Sequence, residues 1–151
     1  MLSPALLGPI DVLGEEVVGG VALIEFVLLG LVVVNLLVRA FAHRSYVTAA
    51  RENGAEAISR SIVLDLTNVL IVLGGFYYIT IHVHGGVVFT TLAIGLLLTD
   101  FFEFESRLVE ARQEIPLERP KAALVTSMFV FLYIAYQSLF FVIQPLWDSI
   151  V

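Results

Sequence analysis

The stretch from Ile62 to Phe102 constrains the fold more than any other. About 20 mostly apolar residues lead into a five-residue turn, His82-Val83-His84-Gly85-Gly86, and a second apolar run follows; each run is long enough to cross a bilayer as a helix. The turn is too short to hold a domain, so the two helices enter from one side and pack as a hairpin. Two further apolar runs, Val17 to Ala40 and Ala122 to Ile143, flank it. The expected fold class is all-α: a polytopic membrane protein with four transmembrane helices in one domain over residues 1–151. The helices are expected at about 16–53, 55–82, 87–114 and 121–144.

Composition excludes the alternatives. With 59% hydrophobic and 15% charged residues and a mean hydropathy of +0.96, the chain is far more apolar than a soluble domain, where these shares are about 45–50% and about 25%. The absence of cysteine removes disulfides, thiolate metal sites, iron–sulfur clusters and cysteine nucleophiles. The net charge of −6 comes with a strong preference for arginine over lysine, a bias met in proteins of salt-loving organisms.

The positive charges set the orientation. Arg39, Arg44, Arg51 and Arg60 lie between the first two apolar runs, and Arg107, Arg112, Arg119 and Lys121 between the last two. The N-terminal segment, the histidine turn and the C-terminal tail carry none, while Asp11, Glu15, Glu16 and Asp148 fall there. The positive-inside rule therefore places both basic loops in the cytoplasm and both termini outside.

Along the chain, Met1 to Glu16 lacks the basic n-region of a cleaved signal and holds Pro4 and Pro9. An interfacial helix or loop is expected, with Leu2, Leu6, Leu7 and Ile10 touching headgroups. The first helix has no stop before Asn53-Gly54, and the third none before Ile115-Pro116, so both should outlast the bilayer and pack as a small cytoplasmic cap. Glu56 with Arg60, and Glu103 with Arg107, stand at i, i+4 and are expected to pair. Gly74-Gly75 allows a neighbouring helix to approach closely, and Pro145 is expected to end the fourth helix.

Several polar residues fall within the apolar runs. Glu25, about eight residues into the expected first helix, would lie ~12 Å below the outer surface. Tyr78 and Gln137 come to a similar depth, suggesting an outer polar layer with a neutral Glu25 donating a hydrogen bond to one of them. A second layer, of Asn35, Asp65, Asn68 and Asp100 with Thr99 and Thr126, falls at the cytoplasmic third. These layers read either as interhelical glue and helix-end ion pairs with Arg39 and Arg60, or as a wet path for protons or cations. His82 and His84, two apart at the outward turn, are candidate metal ligands, although a structural zinc site takes four ligands and only outward carboxylates are at hand; two interfacial histidines flanking a glycine turn is the other reading. No haem-type histidine pair, phosphate loop, His-Glu-x-x-His or nucleophile elbow occurs, so no cofactor and no enzymatic activity are expected. Acids interleave the basic loops, which disfavours nucleic acid, though Arg39, Arg44 and Arg51 suit anionic lipid headgroups.

The strings Phe-Ala-His-Arg-x-Tyr at Phe41 to Tyr46, Gly-Gly-Phe-Tyr-Tyr at Gly74 to Tyr78, His-Val-His-Gly-Gly at His82 to Gly86, Thr-Asp-Phe-Phe-Glu-Phe-Glu-Ser-Arg at Thr99 to Arg107 and Leu-Glu-Arg-Pro-Lys at Leu117 to Lys121 carry a resemblance over nearly the whole chain. It resembles a group of small uncharacterised integral membrane proteins of halophilic archaea. That resemblance implies a plasma membrane facing a high-salt cytoplasm and carries over no functional residue. Two functions stay open. One is a non-enzymatic structural or accessory subunit, partnered by the lipid bilayer and by copies of itself or other membrane subunits. The other is a small proton or cation channel or transporter using Glu25 and the inner acidic layer.

Overall fold

The computed structural model describes residues 8–151; the contacts expected of Leu2, Leu6 and Leu7 lie outside the described residues. After a 3-10 turn at Gly8–Gly14 come two short strands, β1 (Glu16–Val18) and β2 (Val21–Ala22). Four helices follow: α1 (Leu23–Asn53), α2 (Ile62–Ile81), α3 (Val83–Arg112) and α4 (Lys121–Ile150). All four are long and apolar enough to cross a membrane. Each of α1 and α3 packs against both α2 and α4, which closes a four-helix bundle. One end carries the arginine-rich connections and is called the basic end below. The other, the hairpin end, carries β1–β2, the α2–α3 connection and the C-terminus.

The bundle follows the expected all-helical plan, but its boundaries differ in four places. First, α1 starts at Leu23 rather than near Glu16. Gly19 and Gly20 both hold positive φ, 59° and 77°, the pair a two-residue hairpin turn requires. The chain therefore doubles back as β1–β2 before the helix begins, and Glu16 accepts a hydrogen bond from Gly20 N at 3.0 Å. Second, α2 starts at Ile62 and not at 55, because only Ala55–Ala57 form a 3-10 turn before the chain extends. Ser61 then caps α2 by accepting from Leu64 N at 3.3 Å. Third, the five-residue histidine turn contracts to His82 alone. Its backbone N–H closes α2 on Tyr78 O, and its ring Nδ1 caps α3 by accepting from Gly85 N at 3.0 Å. Fourth, Pro145 does not stop α4, which runs on to Ile150 at the exposed hairpin end.

The extensions of α1 and α3 past the apolar zone do pack together. Ala42 and Tyr46 of α1, Phe104 of α3, Leu64 of α2 and Ile58 from the α1–α2 connection form a second core beneath the basic end. Gly54, at φ 80°, ends α1 in the conformation glycine takes at least cost. The expected Glu56–Arg60 pair does not form; Arg60 reaches Asp65 at 3.1 Å and lies over the rings of Phe104 and Phe101. Glu103 likewise makes no direct ion pair with Arg107 among the described residues and accepts from Ala122 N at 3.0 Å, tying α3 to the start of α4.

Glycines set how closely the helices approach. Gly74 sits against Leu28 of α1, and Gly75 against Thr90 and Phe89 of α3. The tightest crossing is at Gly86, where a Cβ would meet the backbone of Ile79. Backbone cannot yield as a side chain can, so Gly86→Ala should cost about 1–3 kcal/mol. Gly95→Ala, placed in open space inside the same helix, should be neutral or stabilise by about 0.5–1 kcal/mol. Thermal unfolding in detergent micelles checks both.

Candidate functional site

The polar residues inside the bundle form two groups, separated by apolar side chains. In the group nearer the basic end, rise per residue brings the partners to one level. Arg39 lies about 24 Å along α1 and Asp100 about 26 Å along α3, both measured from the hairpin end, and Asn68 about 20 Å back along α2. Both Arg39 (3% exposed) and Asp100 (8%) are buried. They form a two-pronged ion pair, Nη1 with Oδ1 and Nη2 with Oδ2, the latter at 2.7 Å.

Around this pair a ring of hydrogen bonds closes across three helices. Arg39 Nη2 donates to Asn35 Oδ1 at 3.0 Å, one helical turn away. Asn35 Nδ2 donates to Asn68 Oδ1 at 2.7 Å and Thr67 Oγ1 at 2.8 Å. Asn68 Nδ2 returns to Asp100 Oδ2 at 2.7 Å, and the Thr67 hydroxyl donates to Leu64 O at 2.9 Å. The amides of Asn35 and Asn68 thus relay the charge pair onto α2. Asp65, expected in this layer, stands apart: it is half-exposed and pairs with Arg60. Thr99 and Thr126 donate to carbonyls of their own helices, those of Gly95 and Ala122. On α4, Ser127 faces the interior but also bonds its own backbone, at Leu124 O.

The helix-end ion pair expected of Arg39 forms with Asp100, and Arg39 lies on the buried stripe of α1, which runs Ile24, Leu28, Val32, Asn35, Arg39, Ala42, Tyr46. Spacings of three and four residues along this stripe put Arg39 on the face of Asn35, and that periodicity was the available signal. Arg107 is the other buried cation, lying 4.5 Å from the Tyr46 ring centre. The Tyr46 hydroxyl accepts from Ser61 N at 2.9 Å and so fixes the entry to α2. Beside these groups is a cavity of about 20 Å³, lined among others by Arg39, His43, Arg107, Asp65 and Asp100. Three buried nitrogens without a protein partner, Arg39 Nε, His43 Nδ1 and Arg107 Nε, belong to residues lining it. Its volume suits a single water bridging them.

At the hairpin end Glu25, Tyr78 and Gln137 come together as expected, for a different reason. With α1 starting at Leu23, Glu25 is the third helical residue and not eight residues deep. Its carboxyl hydrogen-bonds the backbone of Ala22, the residue before the helix, in the manner of a capping box, and also the Tyr78 hydroxyl. It is 6% exposed because β2 and α2 cover it. The Tyr78 hydroxyl donates to Gln137 Oε1 at 3.3 Å, and Gln137 Nε2 donates to the Tyr133 hydroxyl at 3.2 Å, so one row links α1, α2 and α4. The Tyr78 hydroxyl therefore stands between the Glu25 carboxyl and the Gln137 amide. His82 stacks on Tyr78. Tyr136 faces outward.

Between the two groups Leu28, Val32, Ile71, Phe89, Ala93, Leu96, Val130 and Ile134 fill the interior, each 2% exposed or less. From Glu25 to Asn35 this layer is about 15 Å thick. The Thr90 hydroxyl is the one buried side-chain atom near it without a partner, among the described residues. His82 and His84 stand at the start of α3, both exposed, with the His82 Nδ1 already engaged as a cap. Among the described residues no third histidine, aspartate or glutamate joins them as a cluster.

Removing one partner of a buried ion pair strands the other charge. Arg39→Met should therefore cost about 3–5 kcal/mol, while Arg39→Met with Asp100→Asn should recover about half or more of it. Denaturant titration of the folded protein in detergent checks the pair. At the other end, Glu25→Gln keeps an acceptor for Ala22 and should unfold within about 1 kcal/mol of the parent, whereas Glu25→Leu strands a buried N–H at about 1–3 kcal/mol. Equal losses for the two variants would contradict the capping role.

No curated protein and no solved structure matches the chain. A family model matches residues 3–151 and carries no activity with it, and by that match the chain belongs to the family described as a domain of unknown function, DUF7313.

Proposed function

We propose that the chain is a multi-pass plasma-membrane protein acting as a non-enzymatic structural or accessory subunit of a membrane assembly, either a homo-oligomer or a complex with other membrane subunits. The observation that carries this reading is the separation of two internally bonded polar groups by about 15 Å of close-packed apolar side chains. The Arg39–Asp100 ring spends the terminal arginine nitrogens, the carboxylate and both amides on itself, and the Glu25–Tyr78–Gln137 row is likewise bonded from helix to helix, so both act as connections between helices. Conduction needs groups that exchange partners with water or ions along a continuous path.

The orientation follows from charge: both arginine-rich connections in the cytoplasm, both termini outside, in a membrane of the archaeal, high-salt kind that the composition suits. Outward-facing Leu66, Phe76, Phe102, Phe129 and Leu132, each more than half exposed, supply lipid-facing surface on α2, α3 and α4. The competing reading is a small proton or cation channel or transporter running from Glu25 to the inner acids. It draws on the hydrogen-bonded row at Glu25 and on the cavity beside Asp100.

Two measurements test the proposal. A cysteine replacing Gly54 should react with a membrane-impermeant reagent only after the membrane is opened, and one replacing Ser149 should react in intact cells. Protein reconstituted into vesicles should pass protons and monovalent cations no faster than protein-free vesicles, and purification in mild detergent should return a homo-oligomer or a complex with other membrane subunits. Flux above the protein-free level that Glu25→Gln abolishes would replace the subunit reading with the channel.

A further inference from the structure

A groove of about 610 Å³ runs between α1 and the start of α4 at the basic end. Its lining changes character along its length. Leu36, Ala40 and Leu124 form an apolar stretch toward the middle of the bundle, and Arg39, His43, Arg44, Thr48 and Arg119 follow toward the basic end. No acidic residue lines it. From Leu36 to Thr48 the α1 side spans about 18 Å, enough for the upper part of a hydrocarbon chain and a headgroup.

The charges in the groove differ in how they are used. Arg39 is committed to Asp100 through its terminal nitrogens, but its Nε has no protein partner although the side chain is 97% buried, 3% being exposed. His43 Nδ1 is likewise without a protein partner, and the charges of Arg107 and Arg119 reach its ring. Arg44 and Arg119 are exposed and make no ion pair among the described residues. Two uncommitted guanidiniums at the mouth, with apolar walls alongside, present the polarity profile of one anionic amphiphile. Arginine forks match phosphate oxygens in paired hydrogen bonds.

We propose that this groove seats an anionic phospholipid, its phosphate held by Arg44 and Arg119 with His43 beneath and one hydrocarbon chain along Leu36, Ala40 and Leu124. The assignment rests on the membrane embedding proposed above. It also accounts for why the α1–α4 face leaves arginines unpaired when Arg60, across the bundle, has both a carboxylate and aromatic rings to itself. A bound lipid would join α1 to α4 at the level where the buried ring joins only α1, α2 and α3.

The test is native mass spectrometry of the full chain in a neutral detergent, titrated separately with phosphatidylglycerol, phosphatidylcholine and inorganic phosphate. The parent protein should retain one phosphatidylglycerol in preference to phosphatidylcholine. Arg44→Gln and Arg119→Gln should each weaken that retention about fivefold, and the double variant about 25-fold, at one favourable interaction of ordinary size per arginine. Arg112→Gln, at an exposed position outside the groove, should leave it unchanged. Circular dichroism and size-exclusion profiles matching the parent confirm that each variant is folded; a variant that fails this is replaced by Arg44→Lys or Arg119→Lys, which should retain the lipid more weakly than the parent. Retention of phosphatidylcholine equal to that of phosphatidylglycerol, an equal loss in Arg112→Gln, or protection by inorganic phosphate as strong as by lipid would overturn the assignment. In each of those cases the labelling and flux measurements above still stand by themselves.

Discussion

A charge pair inside an otherwise apolar bundle is the constraint on which the rest depends. Arg39 and Asp100 cannot be left alone among side chains such as Leu96, because an unpaired buried charge costs several kcal/mol. Each must find the other, at fixed distances along helices that run in the same direction. That requirement fixes the relative height of α1 and α3, and the two asparagines extend it to α2. Apolar packing alone tolerates small slips between helices; a closed ring of bonds with one arginine, one aspartate and two amides does not. The glycine contacts then follow from the register, with Gly86 against the Ile79 backbone and Gly74 against Leu28.

The helices were legible because length and hydropathy report directly on what a segment can cross. The same signal hid two features. Residues Val17 to Ala22 are apolar enough to read as helix, and only the Gly19-Gly20 pair between β-branched residues marks the hairpin that precedes α1. Missing it placed Glu25 deep in the bilayer, when it closes the first turn of the helix. Arg39 groups by its charge with the arginines of the first basic connection, and only its spacing from Asn35 marks it as part of the buried stripe. Charge counted along the chain does not report the burial of one side chain, because a single buried arginine is satisfied by partners that lie far away in sequence.

The histidine turn and the cap show the other kind of limit. His82 and His84 read either as a ligand pair or as two interfacial histidines flanking a glycine turn, and neither reading anticipated that the chain turns in one residue with the His82 ring capping α3. The small cap that α1 and α3 form at the basic end was legible from uninterrupted helical patterning, with Tyr46 and Phe104 edge to face at 5.7 Å between ring centres. Its chemistry was not, since Arg107 over Tyr46 and Arg60 over Phe104 come from contacts between elements.

If the inner ring is a closed, close-packed connection, the chain is built to hold helices together and its interior is not a route for ions. The side-chain amide protons of Asn35 and Asn68 report on this directly, because each sits in the ring and each must meet water to exchange. Hydrogen–deuterium exchange of these amides, followed by nuclear magnetic resonance on the asparagine-labelled protein in lipid, should show protons retained for hours after transfer to deuterated buffer. Exchange complete within minutes, while the backbone amides of α1 around Val32 stay protected, would mean that water reaches the ring in the folded bundle and would contradict the account.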